Sequence, residues 1–210
     1  MDHNPIAVEL FDKYASEYAA KFMDVSMYDA SLDALCAAIS KQDAAVLEIA
    51  CGPGNVTRYL LDKRPDLQIL GTDLAPKMLA LAQQNNPNAR FQLLDGRAIL
   101  QLRQQYDAIV CGFFLPYLTR EEAIRFIADA ATILRPGGVL FLSTMEDDYN
   151  TSGWRKGSQG DEIFMYFHES GYLLEALADN GFEVLDLRRQ AYPPTGKATA
   201  TDLLVLALKH

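Results

Sequence analysis

The sequence predicts an α/β fold, a mostly parallel sheet of seven strands with helices on both faces and a C-terminal antiparallel hairpin. Three observations carry it. Five short apolar runs, Ala45–Ala50, Gln68–Thr72, Arg90–Leu94, Tyr106–Gly112 and Gly138–Thr144, alternate with segments that hold a helix, the rhythm of β-α units in a parallel sheet. The first run ends in a tight glycine turn, Gly52-Pro53-Gly54, that opens a helix. The last two apolar runs, Phe182–Arg189 and Ala200–Lys209, are joined by Ala191-Tyr192-Pro193-Pro194-Thr195-Gly196. That link leaves no room for a crossover helix, so the two runs pair as a hairpin and make the sheet mixed at one edge.

The elements follow in order. Asn4-Pro5 reads as an N-cap and first-turn pair for a helix to about Met23, and a second helix covers Tyr28 to Ile39. Between the strands, helices are expected over Val56–Lys63, Pro76–Asn85 and Arg120–Leu134, with a short turn near Ala98–Arg103. Arg135-Pro136-Gly137-Gly138 ends the third of these, because proline and two glycines do not continue a helix. Tyr149 to Gly160 is polar and glycine-punctuated and reads as a surface loop; Asp161–His168 offers a further strand, and Ser170–Asp179 a helix closed by Asn180-Gly181. Residues 1–40 therefore form an N-terminal helical cap, and residues 41–210 the sheet domain.

Composition limits the function. The chain has 210 residues, of which 50% are hydrophobic, with 13 Gly and 9 Pro, enough for one packed domain and unlike a collagenous or low-complexity chain. The longest uncharged apolar stretch, Ala108 to Thr119, is broken by Pro116 and falls short of the roughly 18 residues needed to span a bilayer. With 19 Lys and Arg against 28 Asp and Glu, the net charge is −9, and the basic residues are scattered. A nucleic-acid binder normally carries a basic stripe that displaces counterions, so nucleic acid is not the expected partner. Met1-Asp2-His3-Asn4-Pro5 lacks the basic and apolar parts of a signal peptide. Cys36, Cys51 and Cys111 have no C-x-x-C spacing and read as buried reduced thiols rather than metal ligands or disulfides. The expectation is a cytoplasmic protein with no metal.

The residues that carry chemistry cluster at the strand ends. Gly52 and Gly54 let backbone approach a ligand closely at the carboxyl end of the sheet, the arrangement of a Rossmann-like nucleotide fold. Glu48 precedes the turn, and Asp73 ends the next strand about 20 residues beyond Gly52, where an acid accepts from ribose hydroxyls. The third strand leads into Asp95. Three successive strands thus deliver a carboxylate to one edge, which favours a site over three accidental solvated acids.

At this point the chain resembles class I S-adenosylmethionine-dependent methyltransferases of the small-molecule type. The resemblance rests on E-I-A-C-G-P-G-N, G-T-D-L-A-P-K-M-L, L-L-D-G, Y-D-A-I-V-C-G-F-F and L-R-P-G-G-V-L-F-L-S in this order, from about Val46 to Met145. Ala50 departs from the family pattern, which most often has a glycine there. The resemblance implies S-adenosyl-L-methionine as cofactor and S-adenosyl-L-homocysteine as product. It places Glu48 at the methionine amino group, the backbone of Ala50, Cys51, Gly52 and Gly54 along the amino-acid part, and Asp73 on the ribose hydroxyls. Leu74 packs on adenine with Met78 in the same block, Asp95 accepts from the adenine amine, and Gly96 supplies a backbone donor. Cys111 and Gly112 lie beneath the sulfonium; Cys111 as a nucleophile is the weaker reading, since it lacks the preceding proline of cytosine-C5 methyltransferases.

Acceptor-side candidates are Tyr14 and Tyr18 on the first helix, Phe113, Phe114 and Tyr117 after the fourth strand, Glu146 after the fifth, and His168. Tyr117 and His168 are the candidates for catalysis; a lone histidine is more often structural. The segment Phe11 to Tyr18 resembles the amino-terminal helix that closes over the cofactor in many small-molecule methyltransferases, and equally an ordinary amphipathic helix. The rival readings are an NAD-dependent oxidoreductase and a non-catalytic cofactor-binding protein. The only Tyr-x-x-x-Lys spacing, Tyr59 to Lys63, falls in the first cofactor-side helix; the acid that polyamine synthases carry after the fourth strand is absent. The expected partner is a small-molecule acceptor, with the protein a monomer or homodimer.

Overall fold

The computed structural model describes residues 2–157, 160–193 and 199–210. The chain opens with helices α1 (Asn4–Lys13) and α2 (Ala15–Phe22), a 3₁₀ turn at Ser26–Tyr28, and α3 (Asp29–Ala38). Strand β1 (Ala45–Ile49), α4 (Asn55–Lys63), β2 (Gln68–Asp73), α5 (Pro76–Asn85) and β3 (Arg90–Leu93) form the first β-α half. A 3₁₀ stretch (Gly96–Leu102), β4 (Tyr106–Gly112), a 3₁₀ turn (Leu115–Tyr117), α6 (Arg120–Ile133) and β5 (Leu134–Glu146) follow. A small hairpin, β6 (Gly153–Lys156) and β7 (Glu162–Met165), precedes α7 (Ser170–Asp179), β8 (Phe182–Tyr192) and β9 (Ala200–Lys209).

The main sheet has seven strands in the order β3-β2-β1-β4-β5-β9-β8. β1 to β5 are mutually parallel, and β9 runs antiparallel to both β5 and β8. The sheet reverses its winding between β1 and β4, which opens a crevice at the carboxyl ends of those strands. Val46 and Val110 on one face pack with Leu32, Leu35 and Leu60 of α3 and α4. Leu47, Ile109 and Leu140 on the other meet Phe126 and Ile127 of α6 and Leu177 of α7. The central strands β1, β4 and β5 are buried on both faces and so read as apolar runs.

Four expectations are corrected. The first helix breaks at Tyr14 (φ −108°, ψ 25°) instead of running to Met23. The break turns Phe11 and Tyr18 toward each other, edge to face at 5.6 Å. Asn4 is not the N-cap: it lies inside the helix, His3 holds the cap position, and Pro5 occupies the first turn. Arg135-Pro136-Gly137-Gly138 ends α6 as expected but already belongs to β5 as an irregularity, where pairing jumps from Tyr106–Leu134 to Ala108–Val139. The predicted loop Tyr149–Gly160 contains β6, and the strand offered at Asp161–His168 is β7; they pair with each other in a separate two-stranded sheet. Ser158 and Gln159 of that loop, and Pro194 to Gly196 of the hairpin link, lie outside the described residues.

The cap divides into two parts. Ala15 of α2, with Phe11 and Tyr18 against it, packs on Ala75, the N-cap residue of α5, and on Met78 within that helix, whereas α3 is part of the sheet-face core. Asp12 accepts a hydrogen bond from the Lys77 N–H at 2.7 Å, so α1 caps the amino end of α5, whose own N-cap residue, Ala75, has no side-chain acceptor. The β6–β7 hairpin clasps the other side: the His3 ring stacks on Phe164 at 4.3 Å, and Asp161 accepts from Tyr14 and from Lys13 Nζ at 3.0 Å.

Candidate functional site

The site is built where β1 and β2 end. Glu48 points into the layer beneath α4, is 2% exposed, and accepts a hydrogen bond from the Thr57 hydroxyl. Burial pushes its carboxyl up to about 8, against the lowering effect of Thr57, and the nearby Asp73 charge adds to the rise. The chain then turns through Ala50 at φ 51°, Gly52 at 53° and Gly54 at 77°. Ala50 adopts a left-handed conformation that favours glycine, at the position where the family pattern has one.

Asp73 closes this turn. One carboxylate oxygen accepts from Gly52 N at 2.9 Å and the other from Ala75 N at 2.8 Å. Burial raises its pKa, and the N–H groups of Ala75, Gly52 and Leu74 oppose that rise. Each oxygen keeps acceptor capacity beyond its backbone bond. The glycines serve two purposes. A side chain on Gly52 would meet only Tyr18, at 3.8 Å, and one on Gly112 only Val56, at 4.0 Å, so both backbones lie bare toward the cavity. At Gly54 a Cβ would fall 2.3 Å from Asn86 Nδ2, and at Gly96 2.6 Å from Ile49 Cγ2. Those two permit close packing.

Above this floor lies a cavity of about 110 Å³, roofed by Asn4, Ala7, Val8, Phe11 and Tyr18 of the first two helices. Asp73, Leu74, Met78, Leu94 and Gly96 line one end, and Phe113, Phe114 and Tyr117 the other. A second compartment shares Tyr18, Ala50, Gly52, Gly112 and Phe113 and extends to Glu48, Cys51, Tyr28 and Ser143. Phe113 has φ 54° and its N–H donates to Ser143 Oγ at 3.0 Å. Two non-glycine residues in left-handed conformation thus sit at the ends of the paired strands β1 and β4, the kind of strain that gathers at functional sites. Burial and the Asp73 charge push Tyr18 up to about 12, and burial raises Tyr117 as well.

Of the residues singled out in sequence, Tyr18, Ala50, Gly52, Asp73, Leu74, Met78, Gly96, Phe113 and Tyr117 meet on the first cavity, and Glu48 and Cys51 on the second compartment. Others stand elsewhere. Tyr14 bonds Asp161 at the hairpin. The Asp95 carboxylate accepts from Arg97 N at 2.9 Å and pairs with the Arg97 guanidinium at 2.8 Å, so Leu94 and Gly96 line the cavity in its place. The Cys111 thiol is wholly buried in the core, which raises its pKa and suits packing rather than attack. Glu146 is held by Arg189 at 2.5 and 2.8 Å.

His168 is also wholly buried. Nε2 donates to the Leu115 carbonyl at 2.7 Å and Nδ1 accepts from Tyr172, so both ring nitrogens are engaged. Burial lowers its pKa to about 4, with the Arg120 charge adding and the Leu115 bond opposing. It anchors the 3₁₀ turn that carries Tyr117.

Sequence reasoning missed Thr57, Tyr28, Ser143 and Asp202. Asp202 is buried and accepts from the Tyr28 hydroxyl at 2.7 Å. Its one signal was a single acid inside the apolar run Ala200–Lys209. Among the described residues, no group of three or more His, Cys, Asp or Glu gathers as a metal site, and no helix is long and apolar enough to cross a membrane.

Residues 46–138 match the family model for a methyltransferase domain. Over 99 residues the chain is 36% identical to trans-aconitate 2-methyltransferase of Variovorax paradoxus, 47% of this chain and 38% of that one. It is 26% identical over 149 residues to a tRNA N(3)-methylcytidine methyltransferase of Schizosaccharomyces pombe, 66% of this chain and 60% of that one. The matches therefore span less than two thirds of either relative. Magnesium protoporphyrin IX methyltransferase from Synechocystis, solved with bound S-adenosylmethionine, superposes with a TM-score of 0.72 at 18% identity, over 100% of this chain and 98% of that one. Residues 46–138 thus match a methyltransferase domain, within a chain that shares the fold of the Synechocystis methyltransferase.

Proposed function

We propose that this chain is an S-adenosylmethionine-dependent methyltransferase that methylates a small-molecule acceptor at oxygen or nitrogen. The observation that carries the reading is the bare backbone of Gly52 beside the Asp73 carboxylate, which holds the turn with its backbone bonds and faces a roofed cavity. The donor set fits the cofactor. Asp73 has acceptor capacity for ribose hydroxyls, Leu74 and Met78 offer an apolar wall for a base, and the buried Glu48 carboxyl suits an ammonium group. Bound there, S-adenosylmethionine supplies a sulfonium methyl that an acceptor takes by in-line displacement.

The chain's part is then alignment and exclusion of water. The first two helices roof the cavity, and 110 Å³ lies below the roughly 300 Å³ at the low end of ligand sites. Loading a nucleoside therefore requires α1 and α2 to move outward and return, so within the helical cap of residues 1–40 these two helices gate the site while α3 stays in the core. The cavity walls are aromatic and acidic, and the net charge is −9, which favours a small acceptor over a polyanion such as RNA. Three free, buried thiols suit a reducing compartment such as the cytoplasm. We take the working form to be a monomer or homodimer.

Calorimetry tests the reading directly. S-adenosylmethionine or S-adenosylhomocysteine should bind in the micromolar range, about −8 kcal/mol, with NAD far weaker. Tight binding of NAD alone would make the chain an oxidoreductase. Cofactor binding with no methyl transfer to any of a broad set of cell metabolites would leave a binding protein.

A further inference from the structure

Tyr28 follows α2 on its 3₁₀ turn and lines the compartment that also holds Phe113 and Glu48. Its ring packs against Phe113 at 5.6 Å between centroids, and its hydroxyl donates to Asp202 Oδ2 at 2.7 Å. Asp202 stands third in β9, paired in register with Met145 of β5. Because β9 runs antiparallel, its beginning lies at the carboxyl edge of the parallel strands. Asp202 is 3% exposed, and among the described residues Tyr28 is the one side chain that hydrogen-bonds to it. A buried carboxylate held by a single hydroxyl keeps capacity to take a proton.

We propose that Tyr28 and Asp202 form the proton-accepting pair of the acceptor subsite, and that the acceptor is an aromatic hydroxyl or amine without multiple negative charges. The inference rests on the methyltransferase reading. As the S–CH3 bond of the sulfonium breaks, sulfur keeps the bonding pair and becomes a thioether. The acceptor's X–H bond gives way to an X–CH3 bond. Its proton passes to the Tyr28 oxygen while the Tyr28 proton passes to Asp202, so one positive and one negative charge disappear together. Tyr28 touches the acceptor; Asp202 acts through Tyr28. Tyr18 and Tyr192 are the other titratable groups whose charge bears on Tyr28. Among the described residues no Lys, Arg or His lines either compartment, while Asp73 and Glu48 do. A tricarboxylate such as trans-aconitate finds no cation there to pair with its charges.

The test uses the full chain, with phenol, a nitrophenol, aniline and trans-aconitate as acceptors and S-adenosylhomocysteine release as readout. The expected result is transfer to phenol or aniline and none to trans-aconitate. Tyr28→Phe should lower kcat for phenol by about 100-fold, within the range for general-base catalysis. The loss should be much smaller for the nitrophenol assayed above its own pKa, where it is ionised and needs no base; a merely structural role would lower both equally. Asp202→Asn should follow the same split. Apart from turnover, Tyr28→Phe should weaken phenol binding to the S-adenosylhomocysteine complex about fivefold by calorimetry, the loss of one hydrogen bond. Methylation of trans-aconitate, no transfer to phenol or aniline while cofactor binds, or equal losses for phenol and nitrophenol would each overturn this inference. Failure to bind S-adenosylmethionine at all would instead overturn the methyltransferase reading.

Discussion

The Asp73 carboxylate accepts the Gly52 N–H at 2.9 Å, so the acid that ends β2 fixes the turn that ends β1. Two features seen separately in sequence, a glycine turn and an acid about 20 residues beyond it, are one structural unit. Removing the carboxylate therefore acts on ligand and turn together. Asp73→Ala should weaken S-adenosylhomocysteine binding by about 1.5–3 kcal/mol, since hydrogen bonds to a charged acceptor are lost. Calorimetry checks this; an unchanged affinity would mean that the ribose is held elsewhere.

Glu48 makes stability depend on pH. Its carboxyl titrates near 4.5 when unfolded and at about 8 when folded, so between those values the folded chain holds a proton that the unfolded chain has released. Stability contributed by the protonated form is complete below pH 4.5 and is lost as pH rises through 8. Urea unfolding across this range should show a decline that Glu48→Gln flattens. A cationic ligand beside Glu48 requires the ionised form, so cofactor affinity should rise with pH over the same interval in the native protein and not in Glu48→Gln.

His168 works in the opposite sense. Its pKa falls from 6.5 to about 4 on folding, so the unfolded chain takes up a proton first as pH drops. Stability is full above pH 6.5 and is lost as pH falls toward 4. His168→Ala should remove that acid-side loss and cost about 1–3 kcal/mol at neutral pH, because the Leu115 carbonyl is left buried without its donor. Unfolding curves of the variant at neutral and acid pH measure both effects.

Asp161 latches the cap through Tyr14 and Lys13. These contacts are largely exposed and contribute little to stability, but they hold the roof of the cavity. Asp161→Ala should leave the melting temperature nearly unchanged and speed S-adenosylhomocysteine dissociation several-fold in stopped-flow measurements. Deleting residues 1–23, which removes α1, α2 and the Phe11 and Tyr18 roof, should weaken binding further and abolish turnover while the sheet still folds.

By itself the sequence determined the order and type of the main strands and helices and the edge of the sheet at which the candidate site lies. Those features are local: apolar runs mark strands buried on both faces, glycine and proline mark turns, and β1, its turn and β2 lie close along the chain. Only the tertiary structure decided the rest. Asp95 follows β3 as expected, yet Arg97 claims its carboxylate two residues on. A lone histidine is more often structural, and for His168 it is packing that supplies the partners, Leu115 and Tyr172, at its two nitrogens. Tyr14, where the first helix breaks, meets Asp161 of the β6–β7 link across the fold. Tyr28 and Asp202 are 174 residues apart and meet because β9 inserts antiparallel beside β5. Local chemistry is written in neighbouring residues, whereas which side chain neutralises, buries or bonds another is set by distant segments brought together when the core closes.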